Sequence, residues 1–211
     1  MPKLVYFPVQ GRAQAIRYLL GAKGVAFEDE RITGAEWGPR KAAATYGEGA
    51  QLPVYIDDDG TVYTQSLAIL KMLAKEHGYA PQTPRALFEA EWLYATVVDI
   101  IEKPERYVLL KDEATQEEQQ ACIDLLSRFL DKVEARFADG RAHSAGDHIT
   151  DADFSLLALI TGHYDNEHGK HAAIKEATRA KLNSCANIVR VIAPMRELCA
   201  AQIAALEPSS L

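Results

Sequence analysis

An α/β unit followed by an all-helical one is the architecture this 211-residue chain predicts. Three observations carry it. Short apolar runs alternate with amphipathic helical periodicity up to about residue 77, and helical periodicity alone fills the remainder of the chain. Between the two regions Tyr79-Ala80-Pro81-Gln82-Thr83-Pro84 breaks the pattern with two prolines in four residues. The expected domains are therefore 1–78 and 85–211, and the length suffices for two small cores.

Residues 3–8 read as a strand, and 12–22 as a helix with Ala13, Ile16, Leu19 and Leu20 on one face. Val25 to Arg31 alternates as a second strand, and a polar, poorly periodic stretch holding Trp37 and Lys41 reads as irregular. A hairpin over 52–56 and 61–63 turns at Asp58-Asp59-Gly60, and a helix over 65–77 ends before Gly78. This is the element order of a thioredoxin-like α/β unit. Beyond the break, Phe88, Trp92, Leu93, Ala95, Val97, Val98 and Ile101 mark a helix over 87–101. Thr115 with Glu118 is a capping-box pattern, opening a helix that carries Cys122, Leu125, Leu126, Phe129, Leu130, Val133 and Phe137. Asp139-Gly140 stops it. Gly146-Asp147-His148-Ile149-Thr150-Asp151-Ala152-Asp153 announces the next helix, with Thr150 as N-cap.

A net charge of −7 without any Lys/Arg run argues against nucleic acid. No apolar stretch approaches the roughly 20 residues of a membrane span, so no membrane partner is expected. Met1-Pro2-Lys3-Leu4 runs straight into a strand, which predicts no signal peptide and a cytoplasmic location. Cys122, Cys185 and Cys199 are odd in number and widely spaced, and read as small buried hydrophobes. His163, His168 and His171 lie in a polar, Gly-interrupted stretch that reads as a surface turn rather than a metal site. No P-loop, dinucleotide fingerprint or Ser-His-Asp pattern is present, so no metal or bound cofactor is expected.

Two strand-to-helix junctions put chemistry beside helix N-termini, where backbone N–H groups favour anions. One is Tyr6-Phe7-Pro8-Val9-Gln10-Gly11-Arg12-Ala13; the other is Leu52-Pro53-Val54-Tyr55-Ile56 with Gln65-Ser66-Leu67-Ala68-Ile69 after the hairpin. On spacing alone, Tyr6 reads as a strand aromatic packed in the core.

Together these strings resemble the cytosolic glutathione transferases of the tyrosine type, nearest the sigma class, over nearly the whole chain from Pro2 to about Ala200. The Gly-Asp-x-Ile-Thr-x-Ala-Asp string is similar to that family's folding signature in its helical domain. The resemblance implies that Tyr6 donates a hydrogen bond to the glutathione sulfur and lowers a thiol pKa that is otherwise near 8.5. It implies that Arg12 supports the thiolate and that Gln65 and Ser66 grip the γ-glutamyl carboxylate. Leu52, before a cis Pro53, would pair with the cysteinyl backbone. Trp37, Lys41 and Gln51 would meet the glycine carboxylate. Asp99, in Val97-Val98-Asp99-Ile100, would reach the glutathione ammonium across a homodimer interface; an internal salt bridge with Arg12 or Arg17 is the other reading. Arg12 also reads as a solvated helix-start residue, and Trp37 with Lys41 as an exposed loop pair.

A hydrophobic electrophile would sit between the domains against Tyr6, Pro8, Tyr94, Ile101 and Tyr107. The implied activity is conjugation of glutathione, as co-substrate, to small hydrophobic electrophiles, a detoxifying reaction. The alternatives are isomerisation of a lipid peroxide, as in prostaglandin D synthases, and a non-catalytic structural or ligand-binding role. Gln14, Pro8 and the stretch Tyr46-Gly47-Glu48-Gly49-Ala50-Gln51 depart from the family pattern and bear on class rather than fold.

Overall fold

The computed structural model describes residues 1–101, 103–167 and 169–206. Strands β1 (Lys3–Tyr6), β2 (Glu28–Arg31), β3 (Val54–Ile56) and β4 (Val62–Thr64) form one sheet in the order β2-β1-β3-β4. β1 runs parallel to β2, which requires a crossover, and α1 (Gln14–Lys23) supplies it. β1 pairs antiparallel with β3, and β3 with β4. Alternation along β1 sends Leu4 and Tyr6 into the core holding α1 and α3 (Ser66–His77), and Val5 to the opposite side with Ile32 and Val54.

Two expectations need correcting here. The stretch that reads as irregular contains a helix, α2 (Gly34–Ala42). The Thr33 hydroxyl accepts from the Glu36 N–H at 3.2 Å, and the Glu36 carboxylate accepts from the Thr33 N–H at 2.7 Å. That Thr-x-x-Glu box is legible in the sequence; Gly34, Gly38 and Pro39 obscure the periodicity around it. β2 also starts at Glu28 rather than Val25. Gly24 closes α1 in a left-handed cap and the Val25 N–H returns to the Leu20 carbonyl, so the chain straightens later.

The remaining helices are α4 (Pro84–Ile101), α5 (Gln116–Arg136), α6 (Asp151–Leu159), α7 (Ala172–Ser184), α8 (Ala186–Leu198) and α9 (Ala200–Ala204). A 3₁₀ segment, Pro104–Leu110, comes after α4. The Thr115–Glu118 box caps α5 as expected. All three cysteines are buried, and among the described residues none is in a disulfide. One hydrophobic core runs from Leu4 and Leu19 through Leu93 and Phe129 to Phe154 and Ile192, joining sheet and helices. The last described helix lies on the first: a Cβ added at Gly21 of α1 would come within 2.3 Å of Gln202 Nε2 on α9.

The start of α6 is built on two buried aspartates with different surroundings. Asp153 accepts from the Ser144 and Thr150 backbone N–H groups, each at 2.7 Å. Asp151 accepts from the Ala152 N–H at 3.1 Å. Burial pushes its carboxyl up to about 6, against the pull of the Tyr94 hydroxyl and Lys71. The folded value exceeds the ordinary 3.8. The folded state therefore binds this proton more readily, and the associated stability is complete below about pH 4 and lost as pH rises through about 6. Asp151→Asn, which removes the buried charge, should melt higher than the parent at neutral pH, by about 2–3 kcal/mol in stability. The difference should vanish near pH 4. Thermal melts across this range check it; parallel curves for the two proteins would refute it.

Candidate active site

A cavity of about 450 Å³ opens where the end of β1, the start of α3, α4 and α6 converge. Four of the sequence-derived glutathione contacts line it together: Tyr6, Arg12, Gln65 and Ser66. Tyr6 is the last residue of β1 and is almost fully buried. Its hydroxyl oxygen accepts the Arg12 backbone N–H at 3.1 Å. A phenol carries one proton and two acceptor positions, so this bond leaves the O–H to donate into the cavity. Gly11 makes that close approach feasible: its φ is +39°, and a Cβ there would stand 2.7 Å from Tyr6 Oη. The Phe7 ring rests against Tyr6 with centroids 5.7 Å apart.

At the other junction, Gln65 takes φ +72° and ψ +102° immediately before α3. A non-glycine residue held there stores about 1–3 kcal/mol, and such strain gathers at ligand sites. Gln65, Ser66 and Leu67 edge the cavity, so the unpaired N–H groups of the first turn of α3 lie at its rim. No carboxylate is among its described lining residues. Hydroxyl donor, guanidinium and helix N-terminus thus favour an anion at one end, while Val97, Leu159 and their neighbours offer an apolar wall at the other.

The other sequence-derived residues stand apart. Trp37 stacks on Tyr46 at 6.3 Å and packs beneath the sheet, while Lys41 and Gln51 are exposed. The Leu52–Pro53 bond is cis, with Leu52 partly buried and Pro53 buried. Asp99 is on the outer surface of α4, its side chain 71% exposed and 4.0 Å from Lys132. That corrects the internal salt-bridge reading: Arg17 is paired with Asp29 instead. The acid's apolar sequence neighbours divide between helix faces, with Ile100 buried, so Asp99 escapes burial.

The electrophile wall needs correcting too. Tyr94 lines the cavity, whereas exposed Pro8 and half-exposed Tyr107 do not; the Ile101 side chain lies outside the described residues. Ser155, Ala158, Gly162 and His163 line it without any signal in the sequence. His163 is not in a surface turn, because α6 continues as a π-helical segment, Ile160–Tyr164, that is largely buried. Gly162 packs beside Gln10, to which a Cβ would be only 3.7 Å away. π-helical turns recur at functional sites, but nothing in the sequence distinguishes one from a turn. His171 Nε2 lies 2.9 Å from the Val108 carbonyl, and His168 lies outside the described residues.

The family model for the glutathione S-transferase N-terminal domain matches residues 12–76. Glutathione S-transferase P of Bos taurus is 32% identical over 76% of this chain and 75% of its own length. Hematopoietic prostaglandin D synthase of Gallus gallus is 38% identical over 47% of this chain and 48% of its own. The crystal structure of the glutathione S-transferase Blo t 8 superposes with a TM-score of 0.80 at 29% identity, covering 99% of this chain and 94% of that one.

Proposed function

The chain belongs to the glutathione S-transferase family, and from that premise we propose that it conjugates the glutathione thiolate, stabilised by Tyr6, to small hydrophobic electrophiles. The observation that carries this reading is the Tyr6 hydroxyl, held by the Arg12 N–H at the mouth of a mainly apolar cavity. Glutathione would lie along the anion-favouring rim with its γ-glutamyl carboxylate on Gln65, Ser66 and the start of α3. Arg12 would support the sulfur. Leu52 would offer its backbone to the cysteinyl unit, and Trp37, Lys41 and Gln51 would meet the glycine carboxylate. Retention on immobilised glutathione, then turnover of chlorodinitrobenzene, tests the proposal; neither binding nor turnover would overturn it.

A second reading is supported by the prostaglandin D synthase relative: isomerisation of a lipid peroxide in the same cavity. The placement nearest the sigma class goes with it. Product analysis with a prostaglandin endoperoxide separates this from simple conjugation.

We further propose a cytoplasmic homodimer. Its support is on α4, where Leu87, Phe88 and Val98 are exposed large hydrophobics on the helix that also displays Asp99. The Arg136 guanidinium lies over both Phe88 and Trp92, at 5.6 and 5.1 Å from their ring centroids. Arg136 is also paired with Glu89, which holds its guanidinium against this apolar face of α4. If Asp99 reaches the neighbour's glutathione, Asp99→Asn should raise the glutathione KM with the dimer intact. Loss of one charge-assisted bond corresponds to roughly 1–3 kcal/mol, or about five- to hundredfold. Sedimentation showing an active monomer would end the cross-subunit role.

A further inference from the structure

We propose that Arg17 is a positioning residue for the thiolate, a desolvated cation held behind the Tyr6 ring whose effect there is set by Asp29. This deepens the transferase reading and rests on it. Arg17 is on α1 and only 6% exposed. Its Nε donates to both Asp29 carboxylate oxygens, at 3.1 and 3.2 Å, and its Nη1 donates to the Val9 carbonyl at 2.8 Å. One guanidinium therefore ties the loop after Tyr6 to β2.

Its third nitrogen is the informative one. Nη2 is buried and has no hydrogen-bond acceptor among the described residues. A buried donor left unpaired in a folded protein calls for a physical reason. The Tyr6 ring supplies one, because the guanidinium carbon is 5.8 Å from its centroid, within reach of cation–π attraction. The charged and titratable groups facing Arg17 are Asp29 and Arg31 on β2 and Tyr6 on β1. Asp29 is shared, since Arg31 Nε also donates to it at 2.9 Å. One carboxylate between two guanidiniums leaves a net positive charge behind the phenol. Arg31 is 38% exposed and meets solvent, whereas Arg17 is 6% exposed, so the Arg17 charge is weakly screened and favours an anion at the far end of the ring, where the sulfur would sit.

The geometry makes two substitutions move the same quantity in opposite directions. Arg17→Met removes the cation and keeps most of the side-chain volume; Asp29→Asn removes the countercharge and keeps the shape. The readout is the thiol pKa of glutathione bound to the full-length protein, measured by ultraviolet thiolate absorbance, with kcat/KM for chlorodinitrobenzene against pH. Arg17→Met should raise the thiol pKa by about one unit, a roughly tenfold loss of thiolate below it. Its rate deficit should close at alkaline pH, with the glutathione KM unmoved. Arg17→Lys, which keeps the charge, should recover most of the shift. Asp29→Asn should lower the thiol pKa.

A merely structural arginine predicts losses in both variants that no pH restores. Shifts of the same sign, or a thiol pKa unmoved in both, would overturn the proposal. Should Arg17→Met fail to fold by circular dichroism, Asp29→Asn and Arg17→Lys decide it: no fall in the first, or a rise in the second as large as the loss of charge predicts, overturns it. A parent without glutathione-dependent turnover overturns the transferase reading itself, and the same assay shows this before any variant is made.

Discussion

Tyr6→Phe should lower conjugation about ten- to a hundredfold. The change removes one hydroxyl, and with it the acceptor of the Arg12 N–H, while the ring keeps its contact with Phe7 and its place under Arg17. A hydrogen bond to a charged group is worth about 1.5–3 kcal/mol, which is the same factor in rate if it acts on the reactive thiolate. Glutathione affinity should change little, because the tripeptide is gripped elsewhere along the rim. The pKa of the bound thiol should rise, so the deficit should narrow at high pH. Titration of the bound thiol beside steady-state rates checks all of this. Unchanged turnover would pass the role to Arg12, whose N–H would then have lost its acceptor.

Asp153→Ala should produce the largest loss of stability. Its carboxylate is fully enclosed and satisfies two buried backbone donors, the Ser144 and Thr150 N–H groups. Alanine leaves both without an acceptor and brings no water to replace it. At about 1–3 kcal/mol for each stranded donor, the loss should be about 3–5 kcal/mol. In a chain of this size that lowers the melting temperature by roughly 8–15 °C. Tyr6, Gln65 and Ser66 are on β1 and at the start of α3, away from α6, so the fraction that folds in the cold should retain its glutathione affinity. A melting temperature unchanged by the substitution would show that the loop before α6 is held by something else.

How much of the molecule is legible in the sequence depends on the range of the interactions. Capping boxes are three residues long, so Thr115–Glu118 and Thr150–Asp153 are visible, and Thr33–Glu36 is equally visible but masked by Gly38 and Pro39. Tyr6, Arg12, Gln65 and Ser66 are legible because each is beside a junction whose chemistry is local. The α6 side of the cavity is not. Ala158 and Leu159 are apolar residues on a buried helix, and their sequence does not separate those facing a void from those facing the core. Arg17 is silent for a further reason: its partner Asp29 comes twelve residues later and meets it only once β2 pairs with β1. Asp99 misleads because its apolar neighbours in sequence are not its neighbours in space.

The contact between Gly21 and Gln202 has a consequence for inheritance. A side chain at position 21 would displace the Gln202 side chain, so a larger residue at 21 favours a smaller or re-oriented one at 202. An α/β half taken from a relative with a larger residue at 21 and joined to these helices would fit at the proline-bearing junction. Its mismatch would surface at the far end of the chain, on α9. Lineages that recombine the two halves should therefore carry correlated substitutions at 21 and 202, a trace to be found in aligned sequences without any biochemistry.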